Sequence, residues 1–403
     1  MERAELARRL GGVRPPLAPR AAMVVEEADP RRFQAAFAQA VAGAGPVFLA
    51  DPAWRATERA ALAETLRGPS DGPAGSGWLM IPSGGTSGAL KFARHDQDTL
   101  AAAVGGFCAH FETERVDCVG VLPLHHVSGL LAWLRTVLTG GVYVPWDWKR
   151  LEGGEWPTWT DSGWRTLSLV PTQLQRLLAS PESVEWLRGF AAVFVGGGPV
   201  WPELAQAARA ARLPLSLGYG MTETAAMAVA LRPREFLAGG EGCGSALPHM
   251  RVTLAEDGRI ALSGESLFRG YYPDWRSERT LLTDDLGRFD ARGSLHILGR
   301  RDAVIISGGK KVDPAEVEQA LRASGEFADV AVLGLPDPEW GEVVVACYPA
   351  SQPAPDSVRL ASALAPLAGF KHPRRIVALA DWPRNAQGKL SRAELRRRCG
   401  PAT

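Results

Sequence analysis

Lysine, cysteine and long apolar runs are the scarce features of this chain, and each scarcity narrows the reading. Only six of the 45 basic residues are lysine: Lys91, Lys149, Lys310, Lys311, Lys371 and Lys389. Arginine and lysine differ in shape, hydration and donor geometry, so a lysine kept among so many arginines draws attention. The five cysteines (Cys108, Cys118, Cys243, Cys347, Cys399) are odd in number, widely spaced and without a CxxC pair. That argues against a disulfide framework and a cysteine zinc site, and fits a reducing, cytoplasmic setting. Arg, Asp, Gly or Pro interrupts every hydrophobic stretch before it reaches the ~18 residues of a membrane span. The opening MERAELARRLGGVRPP begins with charge and develops no secretory apolar segment. With 45 basic against 44 acidic residues the net charge is +1, which gives no electrostatic reason to expect nucleic acid or membrane insertion.

What is present is a globular chain of 403 residues, 46% hydrophobic, long enough for two to three domains. Its 44 glycines and 30 prolines imply many turns without reaching a disordered composition. Residues 1–75 read as a helical N-terminal layer (helices at 31–42 and 57–67) ending in the linker GPSDGPAGSG. Beyond it, candidate strands at 118–122, 142–145, 167–170, 192–195 and 215–217 alternate with candidate helices at 129–138, 171–179 and 202–211. Such alternation implies βαβ units around a parallel sheet. Residues 245–300 read as a β-rich subdomain, with a hairpin turning at Asp257-Gly258. From residue 302 the pattern becomes a compact α+β tail. Asp313-Pro314-Ala315-Glu316 starts a helix with a capping Asp, a Pro at its first position and a Glu at its third. Strands at 330–335, 343–348 and 375–380 and a helix near 358–367 complete it. The expected fold is α/β: a large domain over 1–301 with parallel or mixed sheets flanked by helices, and a small α+β domain over 302–403.

Five segments have the composition of reactive loops. Ser83-Gly84-Gly85-Thr86-Ser87-Gly88, followed by Lys91, offers N–H groups and hydroxyls that can surround phosphate oxygens. The same composition also serves a plain Ser/Gly linker, and the absence of Gly-Lys-Ser/Thr at its end excludes a P-loop hydrolase. Gly218-Tyr219-Gly220-Met221-Thr222-Glu223 follows a strand, with Thr222 offering a hydroxyl to phosphate and Glu223 a hard oxygen to Mg²⁺. An ordinary strand-to-helix turn with Glu near the helix start reads the same way. Gly196-Gly197-Gly198 would pass a flat ring over bare backbone, or simply turn the chain. Asp284-Asp285 and Gly299-Arg300-Arg301-Asp302 bracket a short β segment where a carboxylate can take ribose hydroxyls and an arginine phosphate; solvated surface charges would look alike. Lys389, in NAQGKLSR, is a point charge between a turn and the last helix.

Together and in this order these segments resemble the adenylate-forming superfamily of acyl-CoA and aryl-CoA ligases, over residues 78–396. The resemblance implies ATP, Mg²⁺ and coenzyme A as cofactor and co-substrates. It assigns Ser83, Gly84, Gly85, Thr86, Ser87, Gly88 and Lys91 to pyrophosphate, and Gly197, Gly198, Gly218, Tyr219 and Gly220 to the adenine side. Thr222 and Glu223 fall to α-phosphate and Mg²⁺, Asp285 and Arg300 to the ribose and phosphate, Asp302 to a hinge, and Lys389 to catalysis of adenylation. It also implies a small domain that rotates between half-reactions, and it allows a homodimer. Within the superfamily, LPLHHVSG, Arg135 and LVPTQL look most like the 2-succinylbenzoate–CoA ligases of menaquinone and phylloquinone synthesis. Ser128, Gly197, His126 and Arg135 would then line the acid pocket, Arg135 holding the carboxylate that is not activated. The pattern departs from the family at Gly84, Ser87, Leu90, Asp284 and His125, and reaches its phosphate loop early, which implies an abbreviated N-terminal part. A ligase for another aryl or acyl acid and a catalytically inactive nucleotide-binding relative are the alternatives.

Overall fold

A computed structural model describes residues 1–12, 21–68, 73, 75–84, 90–158, 163–384 and 390–400. Four sheets follow one another along the chain. The first comprises β1 (Met23–Val25), β2 (Val47–Leu49), β3 (Leu79–Gly84) and β4 (Leu90–His95) in that order, parallel except for the β3–β4 hairpin. Helices α1 (Arg3–Arg9), α2 (Pro30–Ala42) and α3 (Ala56–Thr65) belong to the same stretch. The expected helical layer is therefore an α/β layer. Strands of three residues such as Met23–Val25 and Val47–Leu49 are too short for a period-2 pattern to stand out between helices.

The second sheet is the large one. It is built from β5 (Val116–Gly120), β6 (Tyr143–Pro145), β7 (Trp164–Leu169), β8 (Ala192–Val195), β9 (Leu215–Met221), β10 (Ala226–Ala230) and β11 (Ser245–Ala246), ordered β11-β10-β9-β8-β7-β5-β6. From β6 to β9 it is parallel, as strand–helix alternation predicts; β10 and β11 add antiparallel edges. Its strands read as near-continuous apolar runs because both faces are covered. One face packs on α4 (Gln97–Phe111) and α5 (Val127–Thr139); the helices Pro171–Leu178 and Pro202–Ala210 build the other core. Asp96 fixes the start of α4 by accepting the N–H groups of Asp98 and Thr99, and Gly140 at φ 69° closes α5.

The third sheet, β12 (Met250–Leu254), β13 (Arg259–Gly264), β14 (Thr280–Phe289) and β15 (Leu295–Arg300), is an antiparallel meander, and its first hairpin turns at Asp257-Gly258 as predicted. The fourth contains β16 (Ile305–Ser307), β17 (Lys310–Val312), β18 (Ala331–Asp337), β19 (Gly341–Pro349) and β20 (Arg375–Leu379). Helices Pro314–Ala323 and Ser357–Leu364 cover one face of it and Arg392–Cys399 the other, each with its own core. Asp313 caps the first of these helices through the Ala315 N–H at 2.9 Å, with Pro314 at its first position. Among the described residues, no helix is long and apolar enough to cross a membrane.

Candidate functional site

The chain meets itself at the end of the β3–β4 hairpin. Ser83 pairs with Lys91 and Gly84 with Leu90; Gly85, Thr86, Ser87 and Gly88 lie outside the described residues. The Ser83 hydroxyl donates to Glu223 Oε1 at 2.8 Å, across 140 residues of sequence. Tyr271 donates its hydroxyl to the same oxygen at 2.6 Å, and the Lys91 ammonium stands 5.4 Å over the Tyr271 ring. Two donors thus hold a carboxylate that is only 7% exposed. Burial, followed by the Glu223 charge, raises the Tyr271 phenol well above its ordinary range, so it acts as a donor. No motif marked Tyr271: it comes from a loop between β13 and β14 that is placed by pairing with Ala93 of β4.

Gly218, Tyr219 and Gly220 belong to β9 itself and not to a turn after it, because β10 pairs antiparallel with them. A Cβ on Gly220 would stand 1.8 Å from the Ala226 carbonyl oxygen, so only glycine admits this pairing. Thr222-Glu223-Thr224 form a short 3₁₀ turn linking the two strands. That turn is fixed from below by His95, whose Nε2 lies 2.8 Å from the Thr222 carbonyl oxygen and whose Nδ1 lies 3.1 Å from Thr99 Oγ1. Only an N–H satisfies a carbonyl, so Nε2 carries a proton, and burial disfavours a second one on Nδ1. Burial drives the His95 pKa down to about 4.

This has a consequence for stability. The unfolded chain binds a proton near pH 6.5 and the folded chain only near 4, so stability should fall as pH drops through that window. The full loss from this one group is up to roughly 3 kcal/mol, about 2 of it by pH 5. Urea unfolding at pH 7 and pH 5 checks this; equal stabilities would contradict a neutral, buried His95.

Tyr219 donates its hydroxyl to Asp285 Oδ2 at 2.7 Å, and Arg300 donates to Asp285 Oδ1 at 3.3 Å. Asp285 and Arg300 are direct partners in the β14–β15 ladder. The Arg300 guanidinium also grips both oxygens of Asp302 at 2.7 and 2.8 Å, and these hydrogen bonds raise its pKa. Asp284 is taken by Arg301 at 3.0 Å. Gly197, with φ at 77°, sits in the loop after β8 beside Gly198, where a side chain would meet only Val170 and Pro171. Two groups of contacts thus meet the β9–turn segment: Ser83 and Tyr271 on Glu223, and the run Tyr219, Asp285, Arg300 and Asp302.

The third group lies on α5, whose Leu130 and Leu131 share a core with Ala225, two residues beyond Glu223. His126 precedes the helix as its N-terminal cap residue and Ser128 is the second residue within it. Burial, reinforced by His125, lowers the His126 pKa to about 3, and its Nε2 has no hydrogen-bond partner. Arg135 is only 5% exposed, its guanidinium 3.9 Å over the Phe107 ring. Its Nε has no partner and, among the described residues, no carboxylate pairs with it. Burial lowers its pKa to about 10, so it remains charged at neutral pH. Lys389 lies outside the described residues; on either side of 385–389, Arg384 pairs with Leu390 and the Ser391 N–H donates to the Pro383 carbonyl at 2.9 Å.

The comparisons with known proteins bear on the family and the fold. The AMP-binding enzyme family matches residues 20–272, and the AMP-binding enzyme C-terminal domain matches residues 316–389. The 2-succinylbenzoate–CoA ligase of Listeria monocytogenes serotype 4b is 32% identical over 294 residues, which is 71% of this chain and 62% of that protein. The chain thus spans less than two thirds of this relative's length. The indoleacetate–CoA ligase of Aromatoleum aromaticum is 30% identical over 338 residues, 79% of this chain and 66% of that one. The o-succinylbenzoate CoA synthetase of Bacillus subtilis, solved with its acyl-adenylate intermediate, shares the fold at a TM-score of 0.78 and 22% identity, covering 98% of this chain and 91% of that one. The chain belongs to the AMP-binding enzyme family.

Proposed function

We propose that this chain ligates 2-succinylbenzoate to coenzyme A through an acyl-adenylate, using ATP and Mg²⁺, in menaquinone or phylloquinone synthesis in the cytoplasm. The observation that carries the choice of acid is Arg135, a buried guanidinium without a carboxylate partner among the described residues, on the helix that also holds Ser128. A buried charge is retained at a cost unless something pairs with it. An acid with two carboxylates presents one for activation and one for Arg135.

The donor set suits the nucleotide. Glu223 is a hard, buried oxygen ligand of the kind Mg²⁺ takes alongside phosphate oxygens and water, and its second oxygen is left by Ser83 and Tyr271 for that use. When bound, Mg²⁺ neutralises phosphate charge as pyrophosphate leaves. Ser83 orients Glu223, and Lys91 adds positive charge beside it. Tyr219 would lie against the adenine, leaving Asp285 to accept the ribose hydroxyls. Arg300 steadies Asp285 and is itself tied to Asp302, where we divide the chain into a large domain (1–301) and a small one (302–403). Lys389 would then enter the site from the small domain during adenylation and leave it for thioester formation. The acid carboxylate needs no general base at neutral pH, so His126 serves as wall and not as proton acceptor.

Tyr271→Phe should lower acid-dependent AMP formation about ten- to hundredfold, because a hydrogen bond to a charged group contributes roughly 1.5–3 kcal/mol. The half-saturating Mg²⁺ concentration should rise with it; unchanged Mg²⁺ dependence would show that Tyr271 does not position Glu223. Product analysis tests the proposal as a whole. Incubation with 2-succinylbenzoate, ATP, Mg²⁺ and CoA should give AMP, pyrophosphate and one CoA thioester in equal amounts. Thioester from indoleacetate or benzoates but not from this acid would move the assignment to another aryl acid. ADP as product would overturn the chemistry.

A further inference from the structure

A second cluster of metal-binding side chains lies apart from Glu223. Asp51 follows β2 of the first sheet, while His125 and His126 end the loop that leads from the large sheet into α5. One ligand atom from each of the three lies within 4.8 Å of the other two. His125 Nε2 stands 3.5 Å from Asp51 Oδ2, too far for a good hydrogen bond. Neither His125 Nε2 nor His126 Nε2 has a hydrogen-bond partner. The setting is dry: His125 is 5% and Asp51 8% exposed.

Local structure engages one oxygen of the carboxylate. The Ala53 N–H donates to Asp51 Oδ1 at 2.8 Å, which leaves Oδ2 for the histidines. The two rings sit 4.3 Å apart at 57° to each other, so they do not stack face to face. Burying an unpaired imidazole nitrogen is unfavourable, and here two are buried side by side. A cation that accepted both lone pairs would remove that cost. In a tetrahedral site with bonds of about 2.0–2.2 Å, ligand atoms stand roughly 3.4 Å apart, which the His125–Asp51 pair already matches.

We propose that Asp51, His125 and His126 form a binding site for a divalent transition cation of the Zn²⁺ class, with one coordination position left for water. Two imidazoles and a carboxylate select a borderline ion over Mg²⁺, which takes oxygen ligands and keeps its waters. Such an ion would tie the start of α5 to β2 and hold His126 in one rotamer. It would thereby fix one wall of the acid pocket; that consequence rests on the function proposed above, whereas the site itself does not.

Titration of the full chain with Zn²⁺ and with Co²⁺, in excess Mg²⁺ and without substrates, tests the site directly. The unaltered protein should bind one equivalent, and the Co²⁺ form should show weak visible bands with no intense thiolate charge transfer. Asp51→Asn and His125→Phe should each lose at least tenfold in affinity, since disturbing only the outer partners of a metal ligand costs about 10–100-fold. Circular dichroism shows whether each variant is folded; should either be unfolded, the stoichiometry and Co²⁺ spectrum of the unaltered chain decide alone. Absence of binding, a thiolate band, or equal affinity in folded variants would overturn the proposal.

Discussion

Lys389→Ala is expected to slow acyl-adenylate formation by about 10²–10³-fold, the range seen when one preorganised donor to a developing charge is removed. In adenylation two anions meet: the acid carboxylate approaches the α-phosphorus while pyrophosphate departs. A mobile ammonium is the feature best able to follow that charge. The sequence retains a lysine at this point although arginine fills most other basic positions. The flanks of its segment are fastened to the small domain: Trp382 Nε1–H donates to Asp329 at 2.7 Å, Arg384 pairs with the same carboxylate, and Arg392 donates to the buried Glu318 at 2.5 Å. CoA attack on preformed acyl-adenylate should change less than about tenfold in the variant. Single-turnover assays of the two half-reactions separate the effects, and equal losses in both would contradict a lysine that serves adenylation alone.

Arg135→Met should act in opposite directions on binding and on stability. Without the guanidinium, kcat/KM for 2-succinylbenzoate is expected to fall about 10–100-fold, in line with roughly 1.5–3 kcal/mol for hydrogen bonds to a charged group. The ligand-free protein, in contrast, should become more stable. It gives up a buried charge that no carboxylate among the described residues compensates, and gains a flexible thioether against Phe107 and Phe194. Thermal unfolding without substrate should shift upward by a few degrees. An unchanged KM for the acid would remove Arg135 from its recognition. Destabilisation would show that the guanidinium is held by partners that the folded chain itself supplies.

Much of the fold could be read from the sequence where elements are long and bounded. The helix starting at Asp313-Pro314 and the strand at Ala192–Val195 fall where pattern and caps place them, because short apolar runs between turn residues have few other uses. Met23–Val25 and Val47–Leu49 are not legible in the sequence, since three residues carry no period. The glycines of Gly218–Gly220 suggested a turn, whereas pairing with β10 draws them into a strand: partner choice, not local propensity, decides there.

The site divides the same way. Glu223 and Asp285 stand in motifs whose order implies convergence. Their neighbours Tyr271 and His95 do not, because a lone tyrosine or histidine acquires meaning only from what tertiary packing sets against it. The Asp51–His125 approach, likewise, joins two sheets across a gap in sequence that no spacing rule spans.

The proposed function requires that this one surface bring a magnesium-bound triphosphate and a dicarboxylic acid into reaction. Acid-dependent exchange of labelled pyrophosphate into ATP, measured with CoA omitted, addresses it most directly. Exchange should require both Mg²⁺ and 2-succinylbenzoate, and Lys389→Ala should nearly abolish it. Nucleotide binding without exchange, whichever carboxylic acid is supplied, would contradict it.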